Sequence, residues 1–175
     1  MCAPASFVVT KDKVFWSAKS ESHAEIIEEH KLHADGASGP NIAKVEVNPP
    51  NGDFTLPLDE WLFKLDEDVQ PKWYDPAAIK AMVRAELPKW VAAKIVLPGE
   101  TRKVVDGHIV ACYGTIQSVE GGTIQSVKGG TIQYVYGGTI QYVYGGTIQS
   151  VEGGTIQSVK GGTIQYVYGG TIQYV

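Results

Sequence analysis

The side chains best equipped for chemistry in this chain are three histidines and a run of carboxylates. His30 and His33 stand three apart, Glu29 precedes the first, and His23 lies two turns earlier in a stretch that reads as helix. Imidazoles on one helix face bind zinc when three or four donors converge and outer partners orient them. No cysteine is near in sequence, and a polar helix end with solvated histidines, which also suits the helix dipole, accounts for the same spacing. His23, His30 and His33 are therefore weak candidates, and no metal or cofactor is expected. Asp59, Glu60, Asp66, Glu67 and Asp68 flank an aromatic strip. Paired carboxylates can do acid–base work or hold a divalent cation, but the spacing of a calcium-binding loop is missing and a solvated loop is preferred. Trp61, Trp73, Tyr74 and Trp90 could line a groove; a domain of this size needs such residues in its core, which is the favoured reading. No nucleophile elbow, phosphate loop or dinucleotide fingerprint occurs, and Gly-Gly never precedes a helix. No catalytic residue is assigned, and an enzyme is the less expected outcome.

The elements that would position these groups fall in residues 1–106. Phe7–Thr10 and Val14–Trp16 read as a hairpin around Lys11-Asp12-Lys13. Ser22 with Glu25 forms a capping box, which starts a helix carrying Ile26, Ile27 and Leu32. Asp35 to Pro40 reads as a loop. Ile42–Val47 alternates as a half-buried strand and stops at Pro49-Pro50. Trp61–Leu65 is either strand or helix. Asp75-Pro76 is a helix start, and Ile79, Met82, Val83, Leu87, Trp90 and Val91 recur at helical spacing, with Pro88 expected to kink or split the helix. Val104-Val105 and Ile109–Cys112 read as strands leading onward. This part is a small α+β domain.

Residues 107–175 are different in kind. From Thr115 the unit Thr-Ile-Gln-(Ser/Tyr)-Val-(Glu/Lys/Tyr)-Gly-Gly occurs eight times, after a degenerate copy, His108–Gly114, with one glycine. The variable letters repeat every 32 residues. A fixed short period signals a repeat architecture. In an antiparallel meander successive Val–Ile pairs would land on opposite faces, so no apolar face would form. In a parallel β-solenoid Ile stacks on Ile, Val on Val and Gly on Gly at about 4.8 Å, which gives apolar columns and tight corners. Ile and Val are three apart, so a bend near Gln or Ser/Tyr is required. Two copies per coil are preferred over three: Glu120 then stacks with Tyr136, Glu152 and Tyr168, and Lys128 with Tyr144 and Lys160, so like charges are never adjacent and Lys can lie over Tyr. The expected fold is an α+β domain followed by a parallel β-solenoid.

The net charge of −4 argues against nucleic acid as partner. No apolar run is long enough to span a membrane, and the start does not look like a secretory signal or lipid anchor. Two cysteines, Cys2 and Cys112, fit a reducing cytoplasm or a virion better than a disulfide framework. The last copy stops at Val175 without its Gly-Gly, so an open edge is expected there. Tyr134, Tyr136, Tyr142, Tyr144, Tyr166, Tyr168 and Tyr174 are expected to form an exposed aromatic surface. Trp61–Asp68, Pro71–Asp75 and the array together resemble uncharacterised phage and prophage proteins that join a small N-terminal domain to octapeptide arrays. The resemblance implies a phage or bacterial source and a structural or interaction role. The leading expectation is a non-enzymatic structural protein that self-associates into homo-oligomers or filaments through its array. The alternatives are an ice- or glycan-binding solenoid, though each copy has a single Thr followed by Ile, and an enzyme or inhibitor in the first domain with the array as a stalk.

Overall fold

The computed structural model describes residues 4–36 and 39–175. Cys2, Ala37 and Ser38 lie outside them. The chain forms two compact units, Met1–Val91 and Ala92–Val175, so the division precedes the composition change by some fifteen residues.

The first unit is built on a four-stranded antiparallel sheet. Its strands are β1 (Ala5–Val9), β2 (Val14–Phe15), β5 (Ala43–Asn48) and β6 (Leu62–Leu65), in the order β2-β1-β5-β6. Phe7 pairs with Val45 and Val47 with Phe63. The alternation read in 42–47 is the alternation seen, with Ala43, Val45 and Val47 buried. Of Trp61–Leu65, residues Leu62–Leu65 are strand, because they complete the sheet edge beside β5. Helix α1 (His23–Glu29) buries Ile26 against Val8 and Ile42. Ser22 is its N-cap by backbone conformation, but the hydroxyl makes no capping hydrogen bond, so the capping box is not formed. The segment read as a loop carries a minimal ladder, β3 (Asp35–Gly36) with β4 (Gly39–Pro40).

Helix α2 (Pro76–Lys94) starts as expected. The Asp75 carboxylate accepts hydrogen bonds from the Ala77 and Ala78 amides at 3.0 and 3.2 Å. Pro88 neither splits nor ends it. Ile79 and Val83 before Pro88, and Trp90 and Val91 after it, are all buried. Burying each contributes about 1.5–3 kcal/mol, which together outweighs the roughly 3 kcal/mol a helical proline costs. Phe54, Trp61 and Trp90 form the aromatic centre of the unit, with ring centroids 5.6 to 6.3 Å apart. The indole N–H of Trp61 donates to the Leu56 carbonyl and that of Trp90 to Glu21.

The second unit is a parallel β-solenoid with two octapeptides per coil. One sheet stacks β8 (Thr101–Val105), β10 (Thr115–Val119), β12 (Thr131–Val135), β14 (Thr147–Val151) and β16 (Thr163–Val167). The other stacks β7 (Ile95–Val96), β9 (His108–Cys112), β11 (Thr123–Val127), β13 (Thr139–Val143), β15 (Thr155–Val159) and β17 (Thr171–Tyr174). Odd-numbered copies of the repeat occupy the first sheet and even-numbered copies the second. Equivalent letters stack: Thr115 on Thr131, Ile116 on Ile132, Ser118 on Tyr134, Val119 on Val135.

The required bend sits at Gln. The paired register runs through Thr and Ile, steps over Gln, and resumes at Ser/Tyr and Val. That one-residue shift of parity turns both Ile and Val inward. From Ile116 to Ile156 every Ile and Val of the array is buried in one continuous core. The glycine corners are steric. Gly138 has φ +75°, and a Cβ there would lie 2.6 Å from the backbone carbon of Gly121 in the coil below, so only glycine combines that conformation with that approach.

The lead-in coil was only half visible in sequence. His108–Cys112 is its second strand, as the degenerate copy suggested. Its first strand is Thr101–Val105, which pairs with β10 as Thr101 to Thr115 and Val105 to Val119. Arg102 therefore stands where the array has Ile.

Candidate interaction surface

The outer surface of the solenoid is made by positions three, four and six of the repeat. Ile and Val point inward and glycine turns the corners, so side-chain chemistry is confined to these letters and to Thr at the strand start. At position four, Tyr alternates with Ser up each sheet: Ser118, Tyr134, Ser150 and Tyr166 on one, Ser126, Tyr142, Ser158 and Tyr174 on the other. Tyr134, Tyr136, Tyr142, Tyr144, Tyr166, Tyr168 and Tyr174 are all exposed, from 39% to 72%.

Position six folds back over position four of its own strand. Tyr134 stacks on Tyr136 with centroids 5.8 Å apart and 14° between planes, and Tyr166 on Tyr168 at 6.0 Å and 14°. Tyr142 and Tyr144 do the same at 5.9 Å and 26°. In the Ser copies the hydroxyls of Ser118 and Ser150 donate to the carboxylates of Glu120 and Glu152. The Lys160 ammonium lies 5.1 Å from the Tyr142 ring centre and 5.5 Å from that of Tyr144, so a cation covers the aromatic pair one coil below. Lys128 sits over Tyr113 at 6.0 Å. Each exposed tyrosine pair is thus a stacked aromatic patch.

The two ends of the solenoid differ. At the lead-in end the Arg102 guanidinium donates to the carbonyls of Ala92, Ala93 and Ile95, at 2.5 to 2.8 Å. Those of Ala92 and Ala93 are among the carbonyls a helix leaves unsatisfied at its C-terminus, where a cation is also favoured, and that of Ile95 begins β7. Arg102 was missed in sequence. The signal was present, since Thr101-Arg102-Lys103-Val104-Val105-Asp106-Gly107 keeps Thr, Val and Gly of the repeat. At the last coil, β16 and β17 have a neighbouring strand on one side only. There Val159, Ile164 and Ile172 are partly buried, Val167 is 53% exposed and Val175 fully so.

The histidines do not converge. Helix α1 ends at Glu29 and Lys31 turns out with φ +52°, so His30 and His33 do not share a helix face with His23. The His23 ring bonds the Val45 carbonyl at 3.2 Å and Asp66 at 3.4 Å. The His30 ring reaches the Trp16 carbonyl at 3.1 Å and packs on Phe15, while His33 is exposed. Among the described residues no group of three His, Cys, Asp or Glu is placed to hold a metal ion. The carboxylates disperse too, Glu67 to Lys44 at 3.0 Å and Asp66 to His23. Cys112 occupies a Val position in the core, where burial pushes its thiol from 9.0 up to about 11. No helix among the described residues is long and apolar enough to cross a membrane.

The fold defines the second unit as a parallel β-solenoid of octapeptides. No protein-family model, curated protein or solved structure matches the chain, so what it does is argued from its surface.

Proposed function

We propose that this protein is a non-enzymatic structural or interaction protein that associates with copies of itself through its solenoid. The observation that carries this reading is the set of exposed, stacked tyrosine pairs on the array. Aromatic side chains are enriched at protein interfaces and lose little rotamer freedom there. Here they are already held against one another, so association orders little that is not ordered in the single chain. The β-solenoid beneath is held by continuous hydrogen-bonded ladders and a continuous apolar core, which suits a scaffold.

The phage or bacterial origin and the filamentous form belong to this same proposal.

Serine already occupies the tyrosine position in alternate coils, so Tyr134→Ser, Tyr142→Ser and Tyr166→Ser together should fold. Sedimentation velocity over a wide concentration range is expected to show wild-type oligomers. The triple variant should associate at least about tenfold more weakly, as loss of interface aromatics does. Wild-type protein that stays strictly monomeric at high concentration would overturn the proposal.

A further inference from the structure

The charges of the array are sorted by face. Glu120 and Glu152 follow β10 and β14, and both belong to one sheet; Lys128 and Lys160 follow β11 and β15, and both belong to the other. These four are the only charged side chains of the eight copies. The position-six side chains lie over their own sheet, as the Ser–Glu hydrogen bonds and the Lys160–tyrosine contacts show. The solenoid therefore has one acidic face, which also bears two stacked tyrosine pairs, and one basic face, which bears one. In the lead-in coil Asp106 continues the acidic column, with Lys103 at the Gln position of the same sheet.

The spacing matches as well as the sign. Within the eight copies the charge on each face recurs every second coil, with Tyr between: Glu120, Tyr136, Glu152, Tyr168 against Lys128, Tyr144, Lys160; Asp106 adds a carboxylate in the coil next to Glu120. Two coils are about 9.6 Å at the ordinary strand spacing. An acidic face laid on a basic face in register sets each Glu opposite a Lys, the Tyr134/Tyr136 pair opposite the Tyr142/Tyr144 pair, and the Tyr166/Tyr168 pair opposite Tyr174. The like-face arrangements in that register set Glu on Glu or Lys on Lys, which is unfavourable.

We infer that the self-association occupant is a second copy of this chain, bound with the Glu120/Glu152 face of one solenoid against the Lys128/Lys160 face of the next. This rests on the self-association reading and specifies its geometry. A contact between two different faces leaves one of each kind free, so the association is open-ended and adds copies laterally. It needs neither the last coil nor the lead-in end.

The test uses two full-length variants. Glu120→Lys with Glu152→Lys makes both faces basic, and Lys128→Glu with Lys160→Glu makes both acidic. Glu, Lys and Tyr all occur at position six, so the corner accepts either change, and far-UV circular dichroism checks the fold. Each variant alone is expected to associate at least about tenfold more weakly than wild type, as inverting two ion pairs predicts. An equimolar mixture should regain association. Wild-type association should also weaken as salt is raised, a measurement that needs no variant. Variants that associate as wild type does, or a loss that mixing does not restore, overturn the inference. So does a wild-type mass that levels off at a dimer. In each of these cases wild-type association leaves the broader proposal standing, whereas a monomeric wild type removes both.

Discussion

Replacing the first glycine of a corner with alanine should give opposite outcomes at two copies of the same octapeptide. At Gly153 an added Cβ would lie 2.4 Å from the carbonyl oxygen and 3.3 Å from the carbonyl carbon of Tyr136 in the coil below. Both are backbone atoms of the corner below, where the Tyr136 amide is held by the Val119 carbonyl, and cannot swing aside as a side chain would. At Gly121 the nearest atom to that Cβ is the Asp106 oxygen, at 4.0 Å, an ordinary contact. Neither glycine has a positive φ, so backbone strain does not separate them. The reason for the difference is the lead-in coil, whose corner at Asp106-Gly107 is one residue shorter than Glu120-Gly121-Gly122. Gly153→Ala must move the two coils apart, and overpacking of that kind costs about 1–3 kcal/mol. Gly121→Ala should be neutral, or stabilising by about 0.5 kcal/mol through the unfolded chain. Urea unfolding followed by far-UV circular dichroism resolves this, because 2 kcal/mol moves the midpoint by about 1 M when the slope is about 2 kcal/mol per M. Equal losses at the two sites would refute the reasoning, since the glycine would then serve the turn itself and not the distance between coils.

Other perturbations probe the core and the lead-in end. In a Cys2→Ser background, Cys112 should resist alkylation in the native protein near neutral pH and react fully in urea, because it is buried and its thiol is raised to about 11. A thiol held protonated in the fold stabilises fully below its unfolded value near 9.0, and the contribution is lost as pH rises toward about 11. Cys112→Val, which places the repeat's own residue there, should remove roughly 2–3 kcal/mol of alkaline destabilisation relative to wild type, read as the difference in urea midpoint between the two proteins across that range. Arg102→Ala leaves three carbonyls without their cationic donor and should cost about 2–3 kcal/mol, seen as a lower melting temperature; Arg102→Lys should recover only part, having no fork. Ile132→Ala in the middle of the core should cost about 2–5 kcal/mol, whereas Ile172→Ala in the partly buried last coil should cost under about half as much, both read from urea midpoints.

The array was legible because its physics is one-dimensional. A residue that stacks on itself must fit its own copy, so Ile, Val and Gly declare their roles by invariance, and the 32-residue period selects two copies per coil over three. The bend was required by the three-residue spacing of Ile and Val but could not be placed, because Gln and Ser/Tyr were equally able to carry it. The first unit was legible by element and less so in its details. Asp75 caps α2 as read, yet Ser22 does not cap α1, because an N-cap residue can take the right backbone conformation without its hydroxyl reaching the third amide. Pro88 was misread because local cost was weighed without the tertiary burial on both sides of it. The histidine spacing misled for a related reason. It assumed that the helix continued through His33, and Lys31 turns the chain before that.

The sorting of charge was the deepest feature in the sequence and the least visible. Nothing local distinguishes Glu120 from Lys128: each follows Thr-Ile-Gln-Ser-Val and precedes Gly-Gly. Their difference becomes spatial only because a coil holds two copies, which sends odd and even copies to opposite sheets. A letter that alternates with copy number is then a letter assigned to a face. Exchanging Glu120 with Lys128 and Glu152 with Lys160 would leave composition, net charge, core and corners unchanged and would only swap the two faces. Exchanging one pair alone would instead put both signs on each face and break the match between them. With three copies per coil the same alternation would put Glu on two sides and Lys on two, with both signs on the side they share. The coil size that the apolar core and the glycine corners enforce is thus also what converts a repeating sequence into a polar, two-faced surface.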